Sequence, residues 1–212
     1  MKISILLPYK ENFSPAYPGA VSLFVKDTTN ISKYKKNITV YGNTIYKKIF
    51  PIKYFNIPLN NFKFQSKSKQ YVEKFIKIEK ENPSDIIEIH NRPNYLSDIV
   101  KFLGKKNLVL YFHNDPLTMT GSKSINERKF LLKNCYKIIF NSNWSKKRFL
   151  EGMHDKFVNS EKLLVVFQSA KKLLIDLKQK KKQITFVGKL NRSKGYDIFG
   201  NAVIKILNKY PD

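Results

Sequence analysis

The sequence has 212 residues, of which 42% are hydrophobic and 14% aromatic, which is enough for a core and excludes a disordered chain. Its single cysteine, Cys135, excludes an internal disulfide and a cysteine-based zinc site. The 40 Lys and Arg residues against 16 Asp and Glu give a net charge of +24. Such a charge favours an anionic partner: nucleic acid, nucleotide phosphates or an acidic membrane surface. A genome biased towards lysine codons explains the same charge without a partner.

Predicted elements begin at once, because residues 3–8 form an apolar run typical of a buried strand. This run is too short for a signal peptide, and no later window approaches the roughly 20 apolar residues that span a bilayer. We therefore expect a cytoplasmic protein, with peripheral contact at the inner face of the membrane as an open alternative.

Strands and helices alternate along the rest of the chain. Apolar runs predict further strands at residues 37–41, 54–57, 85–90, 108–112, 137–140, 163–167 and 184–187. Helical spacing predicts helices at residues 19–34, 70–80, 95–103, 125–134 and 144–150. The alternation predicts a Rossmann-like, doubly wound α/β domain with a mostly parallel sheet over residues 1–170. Residues 171–182 form a basic linker, and residues 183–212 open a second domain.

Polar clusters follow several predicted strands, at residues 9–19, 90–94 and 113–115. In parallel sheets, ligands lie beyond the carboxyl ends of the strands. Strand alternation places Glu88, His90 and Arg92 on one face, although Glu88 and Arg92 equally suit a surface charge pair. His113 follows five apolar residues and is a candidate functional histidine, with an ordinary structural histidine as the alternative. No third ligand completes the two histidines, so we predict no metal site.

The stretch at residues 183–199, QITFVGKLNRSKGYDIF, joins an apolar run, a glycine, two lysines and a helix start. Unpaired backbone N–H groups at a helix start bind phosphate, and lysines add full charges. Lys189 and Lys194 are therefore candidate phosphate ligands. The chain has no P-loop, dinucleotide or nucleophile-elbow motif, and the apolar flanks of Cys135 indicate a buried thiol rather than a nucleophile.

Several of these stretches resemble family-four glycosyltransferases. The stretch FVGKLNRSKGYDIFGNAV (residues 186–203) resembles the signature that opens their second domain. KIIFNSNWSKKRFL (137–150), DIIEIHNRPNY (85–95), VLYFHNDP (109–116) and SILLP…PGAVSLF resemble segments of their first domain. HNRP and FHNDP are most similar to enzymes that build lipopolysaccharide or other surface polysaccharides.

The resemblance implies a GT-B fold and a retaining, metal-independent transfer from a nucleotide-sugar to a glycan or lipid-linked acceptor, without a cofactor. It implies a catalytic role for His113. It implies donor contacts from Lys189, Lys194 and Gly19. It implies acceptor contacts from His90, Asn91, Arg92, Asn114 and Asp115.

The sequence departs from that family in four places, one of which is residues 168–172, where QSAKK replaces a frequent Asn-Gly-Val-Asp turn. Pro18-Gly19-Ala20 replaces a double glycine, and Lys189 replaces an arginine with its bidentate fork. The paired glutamates that grip the donor would lie beyond Asp212, so the resemblance implies a truncated chain that is inactive alone. A non-catalytic sugar- or nucleotide-binding fragment is the alternative. A basic nucleic-acid-binding protein is a weaker one, since no nucleic-acid-binding module is recognisable and we expect no nucleic acid partner.

Overall fold

A computed structural model describes residues 1–60, 65–104, 107–154, 157, 160–169, 183–188, 190 and 192–210. The chain forms two compact units that divide between Ser169 and Ala170. Lys189 and the expected linker at residues 171–182 lie outside the described residues. In the described part of the chain, no helix is both long and apolar enough to cross a membrane.

A seven-stranded sheet forms the centre of the first unit. Its strands are β1 (Ile3–Leu6), β2 (Ile38–Gly42), β3 (Tyr54–Asn56), β4 (Ile86–His90), β5 (Asn107–Phe112), β6 (Lys137–Phe140) and β7 (Leu163–Val165). The strand order is β3-β2-β1-β4-β5-β6-β7, and every pairing is parallel. The order reverses between β1 and β4, which is where open α/β sheets leave a crevice for ligands.

Helices connect these strands: α1 (Ala20–Ile31), α2 (Lys67–Glu81), α3 (Tyr95–Leu103), α4 (Ile125–Asn134) and α5 (Asn143–Leu150). Serine side chains cap the starts of α2, α4 and α5. Ser66 accepts from the N–H of Lys69, Ser142 accepts from that of Ser145, and Ser124 forms a capping box with Glu127. Each such cap satisfies a backbone donor that the helix itself leaves unpaired, so short-range sequence determines where these helices begin.

Two apolar clusters form the core, and side chains of β1 alternate between them. Ile3 and Ile5 join the cluster that α1 covers, while Leu6 joins the one that α2 to α5 cover. This alternation is what a sheet with helices on both faces requires, because successive strand side chains point to opposite faces. The predicted Rossmann-like α/β fold is confirmed.

Several predicted boundaries differ from the structure by one to three residues. Helix α2 begins three residues earlier than predicted, because Ser66 supplies the cap that places its first residue at Lys67. Helix α1 ends at Ile31 rather than near Tyr34, where Ser32 takes an extended backbone before a 3₁₀ turn. The last strand of the sheet stops at Val165.

The prediction of a strand at residues 184–187 is wrong, since this segment does not form one. An apolar run forms a strand only when a neighbour pairs with its backbone, and none of the described residues does so. Instead Phe186 packs its ring on Phe199 of α6 (Tyr196–Lys209), with the ring centroids 5.4 Å apart. Gly195 precedes that helix with a φ of 71°.

Candidate functional site

A cavity of about 330 Å³ opens at the carboxyl edge of the sheet, at the crevice between β1 and β4. The loop after β1 contributes Lys10 and Glu11 to its wall, and the loop after β4 contributes Arg92. His113 and Asn114 follow β5, and Gln168 follows β7. Segments distant in sequence therefore meet here because the strands that precede them are parallel.

Asn91 directly follows β4 and is hydrogen-bonded to β5 and to the residue after it. Its φ of 57° lies in the left-handed region, which asparagine tolerates better than most residues. Its backbone N–H donates to the Tyr111 carbonyl at 2.7 Å, and its side-chain Oδ1 accepts from the N–H of His113 at 3.2 Å. The Arg92 guanidinium donates to the Asn91 carbonyl at 2.8 Å. Asn91 thus fixes the position of His113, and Arg92 is anchored on the same turn.

His90 and His113 lie in direct contact. The His90 Nδ1 and the His113 Nε2 are 2.9 Å apart. The other nitrogen of His90 lies 2.7 Å from the Glu88 carboxylate, and the other nitrogen of His113 lies 2.7 Å from the Gln168 side-chain nitrogen. The predicted alternation therefore holds for Glu88 and His90, whereas Arg92 follows the left-handed turn at Asn91, beyond the end of the strand.

Aromatic rings enclose the two histidines. His90 is fully buried and stacks on Tyr111, with ring centroids 4.7 Å apart and planes inclined by 11°. Phe24 of α1 presents its edge to His113 at 5.0 Å. Burial, and next the neighbouring His90, lower the pKa of His113 to about 3. His113 is therefore a neutral imidazole at physiological pH, which donates a hydrogen bond from one nitrogen and accepts one at the other.

Asp115 stabilises the loop that follows β5. Its carboxylate pairs with Arg148 of α5 at 3.2 Å and accepts from the N–H of Leu117 at 3.0 Å, which caps a 3₁₀ turn. Asn141, which follows β6, donates to the His113 carbonyl at 2.9 Å. The exposed Asn114 lies in the cavity wall between these anchored neighbours.

Gly19 lies against the carboxylate of Glu11 at the start of α1. The Glu11 Oε1 accepts from the Ser22 N–H at 2.9 Å and from the Ser22 hydroxyl at 3.0 Å. A Cβ on Gly19 would lie 2.0 Å from that oxygen, so only glycine leaves room for it. The negative charge beside this helix start is thus a side chain of the protein itself, which complements the helix dipole.

Most predicted site residues come together at this edge. His90, Asn91, Arg92, His113 and Asn114 lie within one network or line one cavity. Lys194 belongs to the second unit, in the 3₁₀ turn at Arg192–Lys194, while Lys189 is outside the described residues.

Sequence reasoning missed Phe24, Tyr111 and Gln168 as parts of the site, while Lys10 and Glu11 lie in the predicted cluster at residues 9–19. Applying the carboxyl-edge rule to the last strand as well would have found Gln168, because it follows β7 by three residues. No sequence signal indicates Phe24, whose position depends on how α1 packs against the sheet.

Cys135 is 1% exposed, and burial raises the pKa of its thiol to about 12. It is thus an inert thiol, as its apolar flanks predict. Among the described residues, no group of three or more His, Cys, Asp or Glu side chains is arranged to hold a metal ion.

No protein-family model and no curated protein matches this sequence. Solved structures do match it. Anabaena HepE in complex with UDP and glucose aligns with a TM-score of 0.54 at 18% identity, over 80% of this chain and 45% of HepE. The lipopolysaccharide outer core galactosyltransferase WaaB, in its apo form, aligns with a TM-score of 0.54 at 15% identity, over 87% of this chain and 50% of WaaB.

These likenesses show the fold. At such low identity they extend to the Rossmann-like architecture described above and to no individual side chain. This chain spans about half the length of the solved structures that it matches.

Proposed function

We propose that this chain belongs to a glycosyltransferase that moves a sugar from a nucleotide-sugar to a glycan or lipid-linked acceptor in cell-surface polysaccharide synthesis. The observation that carries the proposal is the half-buried, neutral His113, which opens into a cavity beside Arg92 and Lys10 at the crevice between β1 and β4. A neutral ring suits a sugar hydroxyl, and the cations suit an anionic donor or acceptor.

The proposed reaction retains the anomeric configuration and needs no metal. Cations aimed at the departing diphosphate would replace a metal, because fixed positive charge stabilises the negative charge that develops on a leaving group. Lys189 and Lys194 are the proposed donor ligands, and Gly19 is proposed to contact the donor once the Glu11 carboxylate leaves the start of α1. His113 would contact the transferred sugar, while His90, Asn91, Arg92, Asn114 and Asp115 would form or support the acceptor side.

The solved structures support this proposal by what they bind or do. HepE carries UDP and glucose, and WaaB is a galactosyltransferase. The sequence motifs at residues 85–95, 109–116 and 186–203 point to the same class of enzyme. An assignment to family four and to lipopolysaccharide rests on those motifs.

Calorimetric titration of the 212-residue chain with UDP-glucose, UDP-galactose and GDP-mannose tests the proposal, followed by transfer assays with whichever donor binds. We expect saturable binding of at least one nucleotide-sugar. Lys194→Ala, which removes a proposed donor ligand, should weaken it roughly tenfold, as the loss of one hydrogen bond from a charged group does. Lys129→Met, which changes an exposed lysine on α4, is the control and should bind like the unaltered chain.

Absence of binding by every donor would overturn the proposal. Tight, salt-sensitive binding of random DNA together with that result would identify a nucleic-acid-binding protein instead. Donor binding without transfer agrees with a chain that is inactive alone and equally with a non-catalytic nucleotide-sugar-binding chain, whereas clear transfer would contradict both.

We also propose that the net charge of +24 draws the chain to the anionic inner face of the membrane, where lipid-linked acceptors are found. The charge supports this contact because each lysine or arginine near such a surface contributes roughly 1 kcal/mol.

A further inference from the structure

A line of three hydrogen bonds runs along one face of the sheet and ends at the cavity. It joins Glu88 to His90, His90 to His113, and His113 to Gln168. Glu88 and Gln168, the two end groups, have fixed roles. An ionised carboxylate only accepts hydrogen bonds, and a side-chain amide nitrogen only donates them.

These two ends determine where both imidazole protons lie. Because the Gln168 nitrogen donates to the Nδ1 of His113, the proton of that neutral ring is on Nε2. The Nε2–H of His113 then donates to the Nδ1 of His90, which places the proton of His90 on Nε2 as well. That Nε2–H donates to the Glu88 carboxylate. All three bonds therefore donate in one direction, from the cavity towards Glu88.

We propose that Glu88 and His90 are positioning residues that hold His113 with its proton on Nε2, so that its Nδ1 faces the cavity as a hydrogen-bond acceptor. In the free protein the Gln168 amide occupies this acceptor. In the complex, a hydroxyl of the bound sugar donates to it and displaces Gln168. Naming that hydroxyl as a sugar's rests on the proposed function, whereas the proton positions do not.

Burial makes this arrangement rigid at the inner end and adjustable at the outer end. His90 is fully buried and packs against the rings of Tyr111 and His113, so water does not compete for its nitrogens. The Glu88 side chain is 20% exposed, so the inner end of the line is partly in contact with solvent. Gln168 is exposed, so a ligand replaces it without opening the core.

Long-range ¹⁵N NMR of histidine side chains reads these proton positions directly, because protonated and unprotonated ring nitrogens resonate in separate ranges. In the unaltered chain we expect both His90 and His113 to show an unprotonated Nδ1 and a protonated Nε2 at neutral pH. An Nδ1–H on His113, or a doubly protonated His90, would overturn the proposal.

Isosteric exchange of the two ends provides a stronger test. Glu88→Gln removes the obligate acceptor, so the preference of His113 for one tautomer should weaken. In the double variant Glu88→Gln/Gln168→Glu, the only donor and the only obligate acceptor of this line exchange places. Every bond should then reverse, and His113 should carry its proton on Nδ1. Glu81→Gln, an exposed glutamate near the end of α2, is the matched control and should leave both signals unchanged.

Failure of this inference is distinct from failure of the proposed function. If the double variant keeps the proton of His113 on Nε2, Glu88 does not position that ring and the inference is wrong. If the protons reverse as expected but no nucleotide-sugar binds the unaltered chain, the positioning role of Glu88 and His90 stands and the glycosyltransferase proposal fails. A reversal cannot arise from loss of packing alone, because the exchanged side chains have the same shape.

Discussion

At the scale of single residues, the environment of His113 links the proposed site to the stability of the protein. Burial and His90 hold the folded-state pKa of His113 at about 3, whereas an unfolded histidine titrates near 6.5. Below about pH 6.5 the unfolded chain therefore binds a proton that the folded chain does not bind. The unfolding free energy consequently falls as the pH falls. Above that pH both states are neutral and the effect vanishes.

We predict that His113→Gln reduces the acid sensitivity of folding. Between about pH 8 and about pH 5, the unaltered chain should lose about 2 kcal/mol more unfolding free energy than the variant. Urea unfolding followed by circular dichroism at a series of pH values measures the difference. The comparison uses each protein at alkaline pH as its own reference, which removes the pH-independent cost of the substitution. Parallel pH profiles would show that His113 titrates normally in the folded state.

At the scale of elements, one buried arginine holds the end of α5 in place. Arg128 of α4 is 3% exposed, and its guanidinium donates to the carbonyls of Phe149 and Glu151. These carbonyls belong to the last turn of α5, where a helix leaves its acceptors unpaired. Helix α5 also carries Arg148, which pairs with Asp115 at the edge of the cavity. Arg128 therefore anchors the element that supports one wall of the site.

We predict that Arg128→Met lowers the unfolding free energy by about 3 kcal/mol, since it leaves the buried Phe149 carbonyl and the half-buried Glu151 carbonyl without this donor. Lys129→Met is the matched control, because Lys129 is the next residue of the same helix and is exposed. Its effect should stay within about 0.5 kcal/mol. Denaturant unfolding of both variants gives the comparison. Equal effects would mean that water replaces the arginine at the end of α5.

Elements with their own local signals were predictable from sequence. Helix α4 and strand β6 have the predicted bounds, because the capping box at Ser124 starts the helix and apolar residues 138–140 form the strand. The segment at residues 184–187 carries an equally apolar run but has no strand assignment. The hydrophobic pattern shows which secondary structure a segment is able to form. Whether an apolar segment becomes a strand depends on a neighbouring strand that pairs with it.

Of the candidate site, the positions of the two histidines were predictable from sequence. The rule of carboxyl strand ends is enough to place His90 and His113 at one edge of the sheet. The direction of their hydrogen bonds was not predictable, because it depends on Gln168, a side chain 55 residues from His113. Long-range side-chain pairing of this kind leaves no periodic pattern in a sequence.

At the scale of the whole molecule, the sheet and the net charge act on different ligands. The parallel sheet collects Lys10, Arg92 and His113 at one crevice, which is a local and directional site. The net charge of +24 acts over the Debye length, about 10 Å at 0.1 M salt, and attracts any anionic surface. Crevice binding should therefore depend on single side chains, whereas surface attraction should depend on ionic strength.

We predict that the chain binds vesicles of anionic phosphatidylglycerol more tightly than vesicles of neutral phosphatidylcholine. Co-sedimentation at low ionic strength measures the difference. This difference should disappear at about 1 M salt, where the Debye length is about 3 Å. Lys194→Ala is the informative control, because it removes one of 40 basic residues and should hardly change vesicle binding while it weakens nucleotide-sugar binding. Equal binding to both vesicles would leave a lysine-biased composition as the whole explanation of the charge. Loss of both activities in Lys194→Ala would mean instead that membrane and nucleotide-sugar bind the same lysine.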